Sequence, residues 1–195
     1  MTVRRVFFGM AIAVALLAAA CGDSGGSATP PSSAAFNSPD IAFAQGMIPH
    51  HTQAVEMADL ATTRASSAKV KDLAVRIKAA QGPEIASMTA WLKSWNKPVA
   101  TSGSGMGGMD MSGSTGSGMG MMSAADMKSL TASAGAAFDK MFLTMMIEHH
   151  KGAIGMANTE RATGKFAGAK TMADAIVTGQ QAEIDEMNKL LTSAG

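Results

Sequence analysis

The residues with the most chemistry to offer are four histidines, all of them in two adjacent pairs, His50-His51 and His149-His150. Met47 stands three residues before His50 and four before His51, and Met146 stands likewise to His149 and His150. Met145 adds a neighbour four residues before His149. On a helix these are one-turn spacings, which bring thioether and imidazole to the same side. Thioether with imidazole is a soft ligand set that suits Cu(I) and disfavours Mg and Ca. Zinc is a poorer match, because the single Cys leaves no thiolate cluster. The bland alternative is a set of satisfied core histidines. Against it stands the number of polar groups that would then be buried, each costing about 1–3 kcal/mol if unsatisfied.

The two pairs belong to a duplication. Sliding the chain by 99 positions lays Phe43–Met88 on Phe142–Met187 without a gap, with 16 identities in 46 positions. The retained polar residues are the histidine pairs, Lys71/Lys170, Gln81/Gln180 and Glu84/Glu183. Glu84 and Glu183 could accept a His N–H and fix the ring behind a metal, and Gln81 and Gln180 join them as outer-layer candidates. Met57 and Met156 also correspond, as do Met88 and Met187. Thioether filler is the favoured role for such core positions, with Met57 and Met156 kept as additional ligand candidates.

The elements that must position these side chains are helices. Ser38-Pro39-Asp40 is a helix start, with Ser as cap, Pro at the first helical position and an acid in the first turn. Phe43, Met47, His50, Ala54, Met57 and Ala61 then follow a 4-3-4-3 spacing, beside a second stripe of Ala44, Ile48, His51, Val55 and Ala58. Thr62 to Ser67 breaks the pattern and predicts a turn. Val70, Ala74, Ile77, Gln81, Glu84, Met88, Trp91 and Trp95 form the stripe of a second helix. Pro49 and Pro83 fall inside their helices, where each removes a hydrogen bond or kinks the chain. The second repeat carries the same two stripes. The expected fold is therefore all-α, a four-helix bundle built from two tandem helical hairpins, residues 38–95 and 126–195, forming one domain.

Residues 96–125 make the crossover between hairpins. Its Gly/Ser/Met run includes Met106, Met109, Met111, Met119, Met121 and Met122. So many glycines forbid a stable helix across 101–122, so these methionines cannot form an amphipathic stripe. Their spacing could capture soft ions, and a Gly-rich segment of this length reaches about 28 Å, enough to hand an ion to the bundle.

The N-terminus reads as an export signal. Arg4 and Arg5 precede a 15-residue apolar run, Val6 to Ala20, too short for a membrane span and right for a signal core. The run ends Leu17-Ala-Ala-Ala-Cys21-Gly22, which resembles a bacterial lipobox with its Leu one position early. Cys21 is then the lipidated first residue of the mature chain. Residues 21–37 form a flexible tether from the membrane, and the expected location is the extracytoplasmic face of the cell membrane, with plain secretion and a free Cys21 as the alternative if the lipobox is not used. A net charge of +1, or −1 once Arg4 and Arg5 are removed, argues against a nucleic-acid partner.

The combination Met-Ile-x-His-His-x-x-Ala-(Val/Ile)-x-Met-Ala, followed by Ile-x-x-x-Gln-x-x-Glu-Ile-x-x-Met, resembles the bacterial domain-of-unknown-function family 305 over about residues 36–192. Met47, His50, His51, Met57, Met146, His149, His150 and Met156 match its motif position by position. The resemblance implies a ferritin-like bundle and, for some members, copper binding with a role in copper resistance. The leading expectation is a membrane-tethered, non-enzymatic copper-binding protein for sequestration or delivery. The alternatives are a metal-free interaction module, a haem bundle with His or Met axial ligands, and a di-metal oxidase. The last needs Glu-x-x-His on two helices, and no Glu stands three residues before a His here.

Overall fold

A computed structural model describes residues 35–99 and 119–193. Four long helices carry the fold: α1 (Ser38–Arg64), α2 (Ala68–Ser94), α4 (Gly135–Thr163) and α5 (Ala167–Ser193). A fifth, short helix, α3 (Ala124–Ala132), lies between the hairpins. Among the described residues there is no strand, only an isolated bridge between Ala65 and Gly135. The all-α bundle expected from periodicity is what forms. The short α3 lies just beyond the Gly-rich run, where Ser123 and Asp126 make a capping box and Leu130 buries fully.

Helix α1 starts one residue earlier than its sequence suggests. Asn37, not Ser38, is the cap, and it forms a capping box with Asp40. Pro49 and Pro83 both lie within continuous helices. The turn between α1 and α2 shrinks to Ala65–Ser67, because the helix runs on through Thr62–Arg64.

Two apolar clusters fill the interior, and they are counterparts under the repeat. One joins Ala54, Met57, Ala58, Val70 and Ile77 of the first hairpin to Phe142, Met146, Ile147 and Met187 of the second. The other joins Phe43, Met47, Ile48 and Met88 of the first to Ala153, Ala157, Ala169, Ala173 and Ile176 of the second. In each, the early half of one inner helix meets the late half of the other, so α1 and α4 pack antiparallel. The residues between the two clusters on α1 and α4 are the histidine pairs.

The loops are tied across hairpins. Asp139 at the start of α4 accepts from the backbone N–H of Ser66 (3.1 Å) and Ser67 (2.9 Å), at the entrance to α2. Asp40 at the start of α1 accepts from the N–H of Lys165 (3.0 Å) and Phe166 (2.9 Å), at the entrance to α5. Each hairpin thus caps the other's second helix, satisfying amides that a helix start leaves without partners.

Candidate metal centre

All four histidines are fully buried. The rings of His50 and His149 meet across the α1–α4 seam, tilted 38° to each other with centroids 3.7 Å apart. His51 and His150 flank this pair, each 6.4 Å from its neighbour in sequence. The outer two are oriented by carboxylates: His51 Nε2 lies 2.7 Å from Glu84 Oε2, and His150 Nε2 lies 2.7 Å from Glu183 Oε2. Both glutamates come from the second helix of the same hairpin.

These contacts decide which ring nitrogen is free. A nitrogen facing a carboxylate donates its N–H, so Nε2 of His51 and His150 is engaged and Nδ1 is the ring nitrogen left without a partner. His50 Nε2 likewise donates to the backbone carbonyl of Met119 at 2.9 Å. Nδ1 of His50, His51 and His150, and both nitrogens of His149, are buried without a hydrogen-bond partner. Burial first, then the neighbouring His51 and His150, push His50 down to about 3, against which the Met119 carbonyl acts only in part. Burial and the surrounding His50, His150 and His51 hold His149 well below the ordinary histidine range. At neutral pH the inner pair is therefore uncharged, the form that ligates metal.

The methionines spread around this layer. Met47 and Met146 are fully buried, each one helical turn before the first histidine of its pair, in opposite apolar clusters. Met57 is fully buried in the first cluster, and Met145 packs at its edge. Met156 is partly buried against the second cluster. Gln81 and Gln180 are buried, but neither Gln81 side-chain atom nor the Gln180 oxygen has a partner, so the structure does not link them to the rings. Among the described residues, no group of three or more His, Cys, Asp or Glu side chains is arranged to hold a metal ion. Cys21, Met106, Met109 and Met111 lie outside the described residues.

Met119 to Met122 form a strap over the layer. The side-chain amide of Gln53 on α1 clamps Met122 at both ends, donating to its carbonyl (2.9 Å) and accepting from its N–H (2.7 Å). On the α4 side the strap presses on Gly152, where a Cβ would collide with the Met119 carbonyl. Gly120 turns the strap at φ +75°, a conformation that glycine adopts freely. Met119 and the partly buried Met121 and Met122 are thereby brought near the histidines through backbone, with the Met119 side chain 41% exposed.

Sequence reading missed Gln53, Gly152, Asp139 and Glu160, and read Asp40 only as an acid in the first turn of α1, not as a cap for α5. Gln53 and Gly152 occupy the same repeat position with unlike residues, so the duplication hides them. Asp40 and Asp139 were within reach, since extending the register three residues before Phe43 pairs them. Glu160 replaces Ala61 of the first repeat and is buried, its carboxyl facing that of Asp40. Burial, then the adjacent Asp40, push Glu160 up to about 8. Burial would also raise Asp40, but the Glu160 carboxyl and the N–H groups of Phe166, Asn37 and Lys165 hold it below the ordinary range.

Among solved structures, the chain is similar to a DUF305 protein from Streptomyces coelicolor, described as a candidate secreted protein. That match has 34% identity, covers 80% of this chain and 94% of the other, and has a TM-score of 0.70. A DUF305 fragment from Deinococcus radiodurans matches at 28% identity, covering 80% and 97%, also at 0.70. CopM in its Cu(II)-bound form matches at 29% identity, covering 79% and 96%, at 0.66. CopM has further been solved with Cu(I) and with silver. No curated protein matches the chain. The sequence profile of the domain of unknown function DUF305 matches residues 40–191, the whole of the bundle but its edges, and the chain belongs to that family.

Proposed function

We propose that this protein binds copper as Cu(I), outside the cytoplasm, for sequestration, resistance or delivery rather than catalysis. The ligands are drawn from Met47, His50, His51, Met146, His149 and His150. The observation that carries the reading is the set of buried ring nitrogens without partners in the histidine layer. A protein that needed the layer only for packing gains nothing from leaving them so, at about 1–3 kcal/mol each. Glu84 and Glu183 orient the outer rings from behind, as carboxylates do for ligating histidines elsewhere. The copper- and silver-bound forms of CopM support the choice of a soft ion.

Competition titration against a Cu(I) chelator tests this, with Zn(II) as control. Tight Cu(I) uptake, little Zn(II) uptake and at least a tenfold loss of Cu(I) affinity in His50→Ala/His149→Ala are expected. Unchanged uptake in the double variant overturns the assignment to the bundle. No uptake at all leaves the metal-free interaction module as the reading.

The same proposal places the protein on a membrane through Cys21. It rests on the Arg4-Arg5 start, the apolar run and the lipobox-like Ala-Cys-Gly junction. No helix among the described residues is long and apolar enough to cross a membrane. Incorporation of labelled fatty acid that disappears in Cys21→Ala is the expected result, and labelling that survives the substitution overturns it.

A further inference from the structure

The strap treats the two inner histidines differently. His50 Nε2 lies 2.9 Å from the Met119 carbonyl. A carbonyl can only accept, so Nε2 carries the proton and Nδ1 is the nitrogen that His50 keeps for an ion. His149 makes no such bond: among the described residues, neither of its nitrogens has a partner at hydrogen-bond geometry. The difference starts at one position of the repeat. Where the first hairpin has Gln53, the second has Gly152. Gln53 holds both the N–H and the carbonyl of Met122, at 2.7 and 2.9 Å. Gly152 leaves room for the Met119 carbonyl, and Gly120 passes so close to the Glu148 carbonyl that a Cβ would collide there too. One helix grips the strap and the other yields to it, and the Met119 carbonyl falls on His50 rather than on its twin.

The spacing of the inner rings gives that bond a consequence. Their centroids are 3.7 Å apart. With metal–imidazole bonds of about 2 Å, two rings that share an ion keep their centroids at least about 4.5 Å apart. The pair must therefore part to hold an ion between them. A ring bonded to a clamped backbone stays in place, whereas a ring without that bond turns with no hydrogen bond to break. We propose that Gln53 is a positioning residue of the metal centre: through Met122 and the Met119 carbonyl it fixes His50 with Nδ1 left for the ion, and His149 is the ring that swings to admit it. This division of labour rests on the copper reading above, and it separates two histidines that the repeat makes equivalent. Gln53 itself touches no ion; it acts through the strap, as outer partners of ligating histidines do.

Nitrogen NMR of the full-length protein labelled with 15N at the histidine rings tests this, first without metal. His50→Gln and His149→Gln assign the inner pair. His50 is expected as the pure Nε2–H tautomer. Gln53→Met keeps the side-chain volume and removes both bonds to Met122, and it should turn His50 into a mixture of tautomers. Gln53→Glu still accepts from the Met122 N–H and should restore part of the pure form. Gly152→Ala displaces the strap from the other helix and should give the mixture with Gln53 intact. Unchanged His51 and His150 signals in all three variants show that the bundle is folded. With Ag(I) as the soft-ion probe, the His149 signals should move further than those of His50, and Gln53→Met should weaken uptake about tenfold. A His50 tautomer that ignores both Gln53→Met and Gly152→Ala overturns the positioning role and leaves the copper reading standing. Mixed tautomers with unchanged Ag(I) affinity overturn it too, because the bond then serves packing alone. A wild type that changes tautomer in the variants but takes up no Ag(I) overturns the copper reading, and the strap's role toward metal with it.

Discussion

Asp139 and Asp40 serve the two hairpins alike, each capping the helix of the other, and His51–Glu84 repeats as His150–Glu183 at the same 2.7 Å. At the far ends the likeness stops. Around the α4–α5 loop, Phe166 meets Trp91 and Trp95 edge-on at 5.2 Å each, and Phe36 stacks on Trp95 at 4.6 Å. At the opposite end the counterparts of Phe166, Trp91 and Phe36 are Ser67, Leu190 and Gly135. A cavity of about 620 Å³ opens there, lined in part by Ser67, Val70, Leu143 and Leu190. What the copies share lies where the hairpins grip each other. Those groups must satisfy two partners at once, whereas an end needs only to be filled or left to water.

The largest expected effect lies in the shared middle. His50 and His149 have depressed affinities for protons, so folding favours their neutral form. Their contribution is complete above about pH 6.5 and is lost as pH falls, for His50 as pH approaches about 3, at up to about 1.4 kcal/mol per pH unit for each ring. Urea unfolding of the metal-free protein from pH 7 to 4 should show a steep loss, and His50→Gln/His149→Gln should flatten it by half or more. Parallel curves for the two proteins would sink the idea that the layer resists protonation.

Glu160 has the opposite sign and no counterpart in the first hairpin. Its proton affinity is raised, so its contribution is complete below about pH 4.5 and is lost as pH rises toward 8. Glu160→Ala, which copies Ala61, should remove an alkaline decline of up to about 1.4 kcal/mol per pH unit between pH 5 and 8. An unchanged alkaline limb in the variant would show that the acid is already ionised in the fold.

The caps come next. Losing Asp139 strands the N–H groups of Ser66 and Ser67 and the hydroxyl of Ser66, and Asp139→Ala should cost about 2 kcal/mol. Asp40→Ala strands comparable groups but also relieves Glu160, so it should cost about 1 kcal/mol less at neutral pH. Equal costs, measured by urea unfolding at pH 7, would mean that the two carboxyls do not interact.

The fold was legible because burial in a bundle imposes a 3.6-residue period on every inner helix, and 99-residue self-similarity doubled the signal. The histidine layer and its glutamates stood out for the same reason, being polar at positions that period assigns to the core. The contacts that break the repeat were not legible. Gln53 clamps backbone, Gly152 is defined by what it lacks, and both depend on where the strap lands. The Asn37 cap was misplaced by one residue because Ser and Asn are equally good caps and the choice is made by Asp40, which serves the capping box and the α5 loop together.

The smallest effect sharpens the comparison of the ends. If the aromatic end differs from the open one only in filling, then filling the open one should transfer its stability. Leu190 occupies the position of Trp91 and already lines the cavity, so Leu190→Trp places an indole where the first hairpin has one. Part of its added apolar surface would remain wet, as it does for the half-buried Trp91. At about 25 cal/mol per Å² the gain should be about 1 kcal/mol, within the range of cavity-filling substitutions. Ser67→Phe in the same chain should add to it, since Phe166 packs on Trp91 in the filled end. A blue-shifted tryptophan emission with a raised unfolding midpoint is the expected pair of results. A shifted emission with a lowered midpoint would mean that the open end is shaped by its short side chains and cannot accept the aromatic packing of its twin.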